Sequence, residues 1–213
     1  MSDDLLPAAK AIEELEPAVQ AFAEATGVLG PVRELAAWAT DLIRYRRAPY
    51  QAKLLMRAAE QIEASGLPSA AVEDKFLRAV LEDGPMENDE SMQARWASLL
   101  ANAGTRESTR VRAAFPTILS ELEPNEAAAL DILADQTNDA AFRVARFSIA
   151  ECVDAGLDTA GIENVDRLQL LDLLRTMPNT IGSISDETAN IVGARFTDFG
   201  WQFVQACRAP RAG

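Results

Sequence analysis

The chain contains no histidine. That absence removes the commonest metal ligand and the commonest general base, so any catalysis would have to run on carboxylates, lysine, tyrosine or cysteine. Cysteine is almost as scarce. Cys152 and Cys207 alone are too few for a disulfide framework, and both sit at apolar positions of expected helices, where they read as buried thiols. No run of about 18 uncharged apolar residues is present to span a bilayer. The opening MSDDLLPAAK is acidic where a secretory signal would be basic, so a cytosolic protein without an integral membrane segment is expected. Gly27, Gly30 and Pro31 do not make a phosphate loop, because no strand precedes them and no Gly-Lys-Ser/Thr follows. No enzyme, metal or cofactor is expected from these residues.

What the chain does have is size, apolar content and acidity. Its 213 residues are 48% hydrophobic, and a chain of this length can bury roughly 70% of its unfolded surface. The net charge of -13 is unevenly spread. Residues 1 to 32 carry Asp3, Asp4, Glu13, Glu14, Glu16 and Glu24 against Lys10 alone, and the chain after residue 57 is acidic again. Between them lies a basic island of Arg33, Arg44, Arg46, Arg47, Lys53 and Arg57 against Glu34 and Asp41. Such an island suits an anion or nucleic acid, or it is neutralised by the chain's own acidic helices; the second reading is preferred here.

Helical periodicity organises the first two thirds. Residues 4 to 26 place Leu15, Val19 and Phe22 in register, with Gly27 as a stop. A longer pattern, Leu35, Ala39, Leu42, Ile43, Tyr50, Leu54, Ala58 and Ile62, runs to Gly66, with Pro49 predicting a kink or break near Arg46 to Pro49. A third helix is expected from about Ala70 to Glu82, ended by Gly84 and Pro85. The sharpest block is Asn88 to Ala103, NDESMQARWASLLANA: an acidic helix start, then Met92, Trp96, Leu99, Leu100 and Ala103 on one face, stopped by Gly104. Phe115, Leu119 and Leu122 follow on another stripe, with Pro116 as a second expected kink and Pro124 as the first residue of the next helix. Trp96, Leu99, Leu100, Phe115 and Leu122 are the predicted structural core.

Beyond about residue 140 the helical stripe is lost. Ser148 can cap a short helix ending at Gly156, and a second helix is expected from Ile162 to Met177 through Leu168, Leu171 and Leu174. Short β-prone pieces lie at Thr180 to Ile184 and Ala189 to Phe196, and Thr197 can cap a last helix through Phe199, Phe203 and Val204. Helix, turn, helix, two-stranded ribbon, helix is the order of a winged helix. The expected fold is therefore mainly α: a helical array over residues 1 to 134, followed by a winged-helix-like region with a short β-ribbon over 135 to 213. Charge argues against DNA as its ligand, because the would-be recognition helix offers Glu163, Asp166 and Asp172 against Arg167 and Arg175.

The best local candidate for contact with a ligand or partner is Arg44, Tyr45 and Arg47, since guanidinium forks suit phosphate or carboxylate and a tyrosine can stack on a base. Arg46 falls on the apolar stripe and is expected to pair with an acid such as one in Glu87 to Glu90. Glu87, Asp89 and Glu90 raise the thought of a cation, but carboxylates at a helix start are more simply held by the positive end of the helix dipole.

Several segments, in order, resemble the abortive-infection alpha family of prokaryotic proteins, catalogued as a domain of unknown function. They are LLPAAKAIEE at Leu5, LGPVRELAAWATDLIRYRR at Leu29, the helix to ASGLP at Ala64, ENDESMQARWASLLANA at Glu87, RAAFPTILSELEPNEAAALDIL at Arg112 and RFTDFGWQFVQAC at Arg195. Between Asp135 and Gly161 the chain departs from the pattern. The resemblance implies a role in defence against phage, in which an infected cell stops supporting the infection, and it carries over no catalytic residue. The reading that follows is a non-enzymatic component that binds another protein or a second copy of itself. The alternatives are a nucleic-acid-binding regulator using Arg44 to Arg47, and a membrane-acting toxin. The last is the weakest, because Arg33, Glu34 and Asp41 interrupt the apolar residues 28 to 43, which are too few to span.

Overall fold

A computed structural model describes residues 17–26, 48–84, 88–106, 111–135, 144–148, 173–177 and 191–211. The chain divides into two compact units, Met1–Ser120 with Ala206–Gly213, and Glu121–Gln205. Helices make up most of the described chain: α1 (residues 17–26), α2 (Ala48–Ser65), α3 (Asp74–Asp83), α4 (Glu90–Ala103), α5 (Phe115–Glu121), α6 (Pro124–Asp135) and α7 (Asp198–Ala206).

In the first unit α4 packs against both α2 and α3. The reason is the composition of α4, which is apolar or small from Trp96 to Ala101. Met92, Leu99, Leu100 and Ala101 are fully buried and Trp96 is 1% exposed. The indole lies over Gly84, where a built Cβ would stand 3.2 Å from the ring and 3.1 Å from Leu54. Helix α2 meets it with Leu54, Leu55, Ala58, Ala59 and Ile62, and α3 with Phe76, Leu77, Val80 and Leu81, all buried. Periodicity of three to four residues puts each of these sets on one side of its helix.

Caps set the ends. Asp89 is extended, at φ -75 and ψ 128, and its carboxylate accepts from the Met92 backbone N–H, which starts α4. Pro49 falls in the first turn of α2 and Pro116 in that of α5, where a missing N–H leaves no helical bond unmade. Gly66 closes α2 at φ +64, a left-handed conformation that glycine adopts without a Cβ penalty. The loops after α2 and α4 are then stapled together: Ala70 N–H donates to Gly104 O at 2.8 Å and Arg106 N–H to Pro68 O at 2.7 Å.

The second unit contains α6 and a three-stranded antiparallel sheet of β1 (Val144–Ser148), β2 (Leu174–Met177) and β3 (Ile191–Phe196) in the order β1-β3-β2. Val144 stands opposite Arg195 and Ser148 opposite Ile191; on the other side Leu174 stands opposite Phe196 and Met177 opposite Gly193. Helix α6 opens at Pro124, and the buried Glu126 carboxylate accepts from Glu123 N–H at 2.8 Å, which satisfies an amide that the helix itself leaves unmade.

This arrangement corrects the expected C-terminal region. The expected winged-helix-like region, with a two-stranded ribbon of Thr180 to Ile184 and Ala189 to Phe196, is not what the described residues show: the strands paired with β3 are Val144–Ser148 and Leu174–Met177, the second of which was assigned to the end of a helix from Ile162. The helical spacing of Leu168, Leu171 and Leu174 is a local signal. Pairing of residues 174–177 with β3 is a tertiary one, and it decides the conformation here. The expected helix from Ser148 to Gly156 lies largely outside the described residues, and the ribbon strand at Thr180 to Ile184 lies outside them.

Helix α7 docks closely beside the residue that precedes β2. Thr197 caps the helix, accepting at Oγ1 from Gly200 N–H at 2.8 Å, while its own N–H donates to Leu173 O at 3.1 Å. A Cβ at Gly200 would lie 2.0 Å from that carbonyl oxygen, so only glycine fits there without a backbone shift. Phe196 and Trp201 meet edge to face at 5.6 Å between ring centroids, packing the end of β3 on α7.

Two substitutions test this packing. Trp96→Ala should destabilise the protein by roughly 3 to 5 kcal/mol in urea unfolding, the cost of a large core truncation; a change under about 0.5 kcal/mol would place the indole at the surface. Gly200→Ala should cost about 1 to 3 kcal/mol or more, because the added carbon meets backbone rather than a movable side chain. An unchanged melting temperature would contradict the close approach.

Candidate functional site

The outer side of α2 and the start of α4 are where the described chain combines exposed apolar and charged groups. Alternation along α2 follows from its sequence: the inward side takes Ala48, Gln51, Ala52, Leu54, Leu55, Ala58, Ala59 and Ile62. Tyr50, Lys53 and Met56 are left outside. Tyr50 is 50% exposed and Met56 is 39% exposed, the large hydrophobic side chains that face outward among the described residues. This corrects the expected apolar stripe, in which Tyr50 was grouped with Leu54, Ala58 and Ile62. One polar residue goes inward: Gln51 is 5% exposed, and its amide donates to Leu81 O at 2.9 Å. That bond fixes α2 against the last turn of α3.

Two cations of the basic island are engaged across the helix pair. Arg57 Nη2 stands 2.9 Å from Glu90 Oε1, and Lys53 Nζ donates to Gln93 Oε1 at 3.0 Å. Both contacts are exposed, so they add about 1 kcal/mol at most to stability and act mainly to set how the two helices face each other. Glu90, one of the acids suggested for Arg46, pairs with Arg57. Asp89 takes the position at the helix start that the dipole favours. The Ser91 hydroxyl donates to its carboxylate, and with the Met92 N–H and the charge of Arg95 this holds the Asp89 carboxyl below the usual aspartate range.

Arg44, Tyr45, Arg46 and Arg47 lie outside the described residues, as does Glu87. The predicted core residues are placed as follows: Trp96 is 1% exposed, Leu99, Leu100 and Phe115 are fully buried, and Leu122 is 5% exposed. Asn102 was not singled out by the sequence. It is buried on α4, and its Nδ2 donates to Ser98 O at 3.0 Å, Ala206 O at 3.0 Å and Arg208 O at 2.7 Å. No local signal could have found it, since two of the three acceptors are more than a hundred residues away in sequence. No helix among the described residues is long and apolar enough to cross a membrane.

The Asp89 cap gives a pH dependence with a definite sign. Its carboxyl is depressed in the folded state relative to an ordinary value of 3.8, so the cap's contribution is present above that value and is lost as pH falls through the lower folded one. In urea unfolding, the stability gap between the protein and Asp89→Asn should be constant near neutrality and shrink in acid below the ordinary aspartate value. A gap that stays the same into strong acid would show that the carboxylate charge is not what caps α4.

Comparison with known proteins gives one family. The model of the family described as abortive infection alpha matches residues 50–207, which contain α2 to α6, the sheet and α7. No curated protein and no solved structure matches the chain.

Proposed function

This chain belongs to the abortive infection alpha family, and we propose that it serves phage defence as a non-enzymatic component that binds another protein through the outer side of α2. The observation that carries the reading is the outward position of Tyr50 and Met56 beside Lys53, on a helix whose opposite side is buried. An exposed aromatic and a methionine are the side chains that anchor protein interfaces, because they bring large apolar area and, for methionine, adaptable packing. A polar rim around such anchors supplies orientation.

The reading is further supported by how the polar residues of the first unit are used. Asp89 caps α4, Glu90 pairs with Arg57, Gln51 ties α2 to α3, and Asn102 holds the chain after α7. Each is a positioning interaction. The charge of -13 is in keeping with a protein surface as ligand rather than a phosphate backbone.

The test is phage plating on cells carrying the protein with Tyr50→Glu and Met56→Glu. Placing carboxylates at the anchors should weaken partner binding by about tenfold or more and abolish protection, while the melting temperature stays close to the parent, as exposed substitutions allow. Full protection by the double variant would overturn this surface. Hydrolysis of nucleic acid or nucleotide by the purified protein, with turnover sensitive to a single alanine substitution, would overturn the non-enzymatic reading.

A further inference from the structure

We propose that the protein bound at the outer side of α2 is a second copy of this chain, the two α2 helices lying antiparallel about a two-fold axis beside Met56; this rests on the reading of that side as a protein interface. The exposed side of α2 is divided in charge along its length. Its first half carries the cation Lys53 beside Tyr50, and its second half carries the anions Glu60 and Glu63 beside Ala64, all exposed. Lys53 and Glu60 are two helical turns apart, so they fall on one line of the surface and stand about 10.5 Å from each other along the axis, too far to pair within the helix.

The rest of the first unit does not neutralise these charges. Lys53 Nζ donates to Gln93, a neutral amide, at 3.0 Å. Among the described residues the ion pair of α2 is Arg57 with Glu90, and Glu60 and Glu63 stand exposed beyond it. A surface that is basic at one end and acidic at the other becomes complementary to itself after a half rotation, which is what an isologous interface requires. In the antiparallel arrangement Lys53 of each copy meets Glu60 of the other, the two Met56 side chains meet across the axis, and Tyr50 of each copy reaches Ala64 of the other. A parallel pairing in register would set lysine on lysine and glutamate on glutamate, and like charges repel. The net charge of -13 on each copy opposes association in general, so an orientation that brings cation to anion is selected. Helix α2 has 18 residues, a length of about 27 Å, which suits a small, reversible interface rather than an obligate one.

The test is sedimentation of the full chain across the micromolar range, with charge-reversed variants. The parent should self-associate reversibly. Lys53→Glu and Glu60→Lys are at exposed positions, where the melting temperature should stay near that of the parent. Each should weaken self-association by about tenfold or more, because like charges then meet twice across the axis. An equimolar mixture of the two variants should dimerise again, since each supplies the charge that the other lacks. A parent that stays monomeric, reversals without effect, or a mixture that does not recover would each overturn the pairing. A monomeric parent whose protection is nonetheless lost with Tyr50→Glu and Met56→Glu would present α2 to a different protein, so the second copy is refuted while the interface stands. A parent that passes the mixing test, with full protection kept by the Tyr50→Glu, Met56→Glu variant, would retain the pairing and lose the functional reading.

Discussion

Burial of the Trp96 indole is the constraint on which the first unit depends. A side chain of that size must be surrounded, and here the surroundings are Gly84 at the end of α3, Leu54 of α2 and the apolar run of α4 itself. Each neighbour has a reason in the sequence. A side chain at the position after α3 would crowd the ring and Leu54, which glycine avoids, and α2 carries leucine and alanine on the side that meets α4. The surface pairs Arg57–Glu90 and Lys53–Gln93 then fix which way the helices face each other without adding much stability. The exposed positions of Tyr50 and Met56 follow from the same geometry: once Leu54, Leu55 and Ala58 turn toward the core, one side of α2 must face away.

The proposed function rests on that outward side. The family assignment rests on residues 50–207 and suggests a role in abortive infection. Several polar groups of the described first unit hold elements in place: the Asp89 cap, the Arg57–Glu90 pair, the Gln51 tie to Leu81 and the Asn102 bonds to Ala206 and Arg208. The proposed mode of action, presenting a shaped surface to another protein, is in keeping with these roles.

How much of this was legible in the sequence differs by element. Helix α4 was legible because three independent local signals agree there: an aspartate cap, apolar residues at helical spacing and a terminal glycine. The start of α6 at Pro124 was legible for the same kind of reason, since proline is preorganised for a first turn. Pro116 was read as a kink, whereas it lies in a first turn; periodicity continuing on either side of a proline does not say whether one helix bends or a new one begins. The sheet was misread because leucines at 168, 171 and 174 carry helical spacing, while β2 exists by pairing with β3, a partner that comes later in the sequence. Tyr50 looked like one more stripe residue because it stands four positions before the buried Leu54, and spacing alone does not say which member of a stripe is left uncovered. The long-range bonds of Asn102 were invisible, as their carbonyl acceptors have no sequence signature at all.

The most direct measurement of the central claim is native-state hydrogen exchange along the first unit. If the packing of Trp96 holds that unit together, the amides of α4 around it should exchange only through global unfolding, with the same free energy as denaturant melting and the highest protection in the unit. Exchange of those amides through a cheaper local opening, with α2 remaining protected, would show that α4 is peripheral and that the unit is held together by something else.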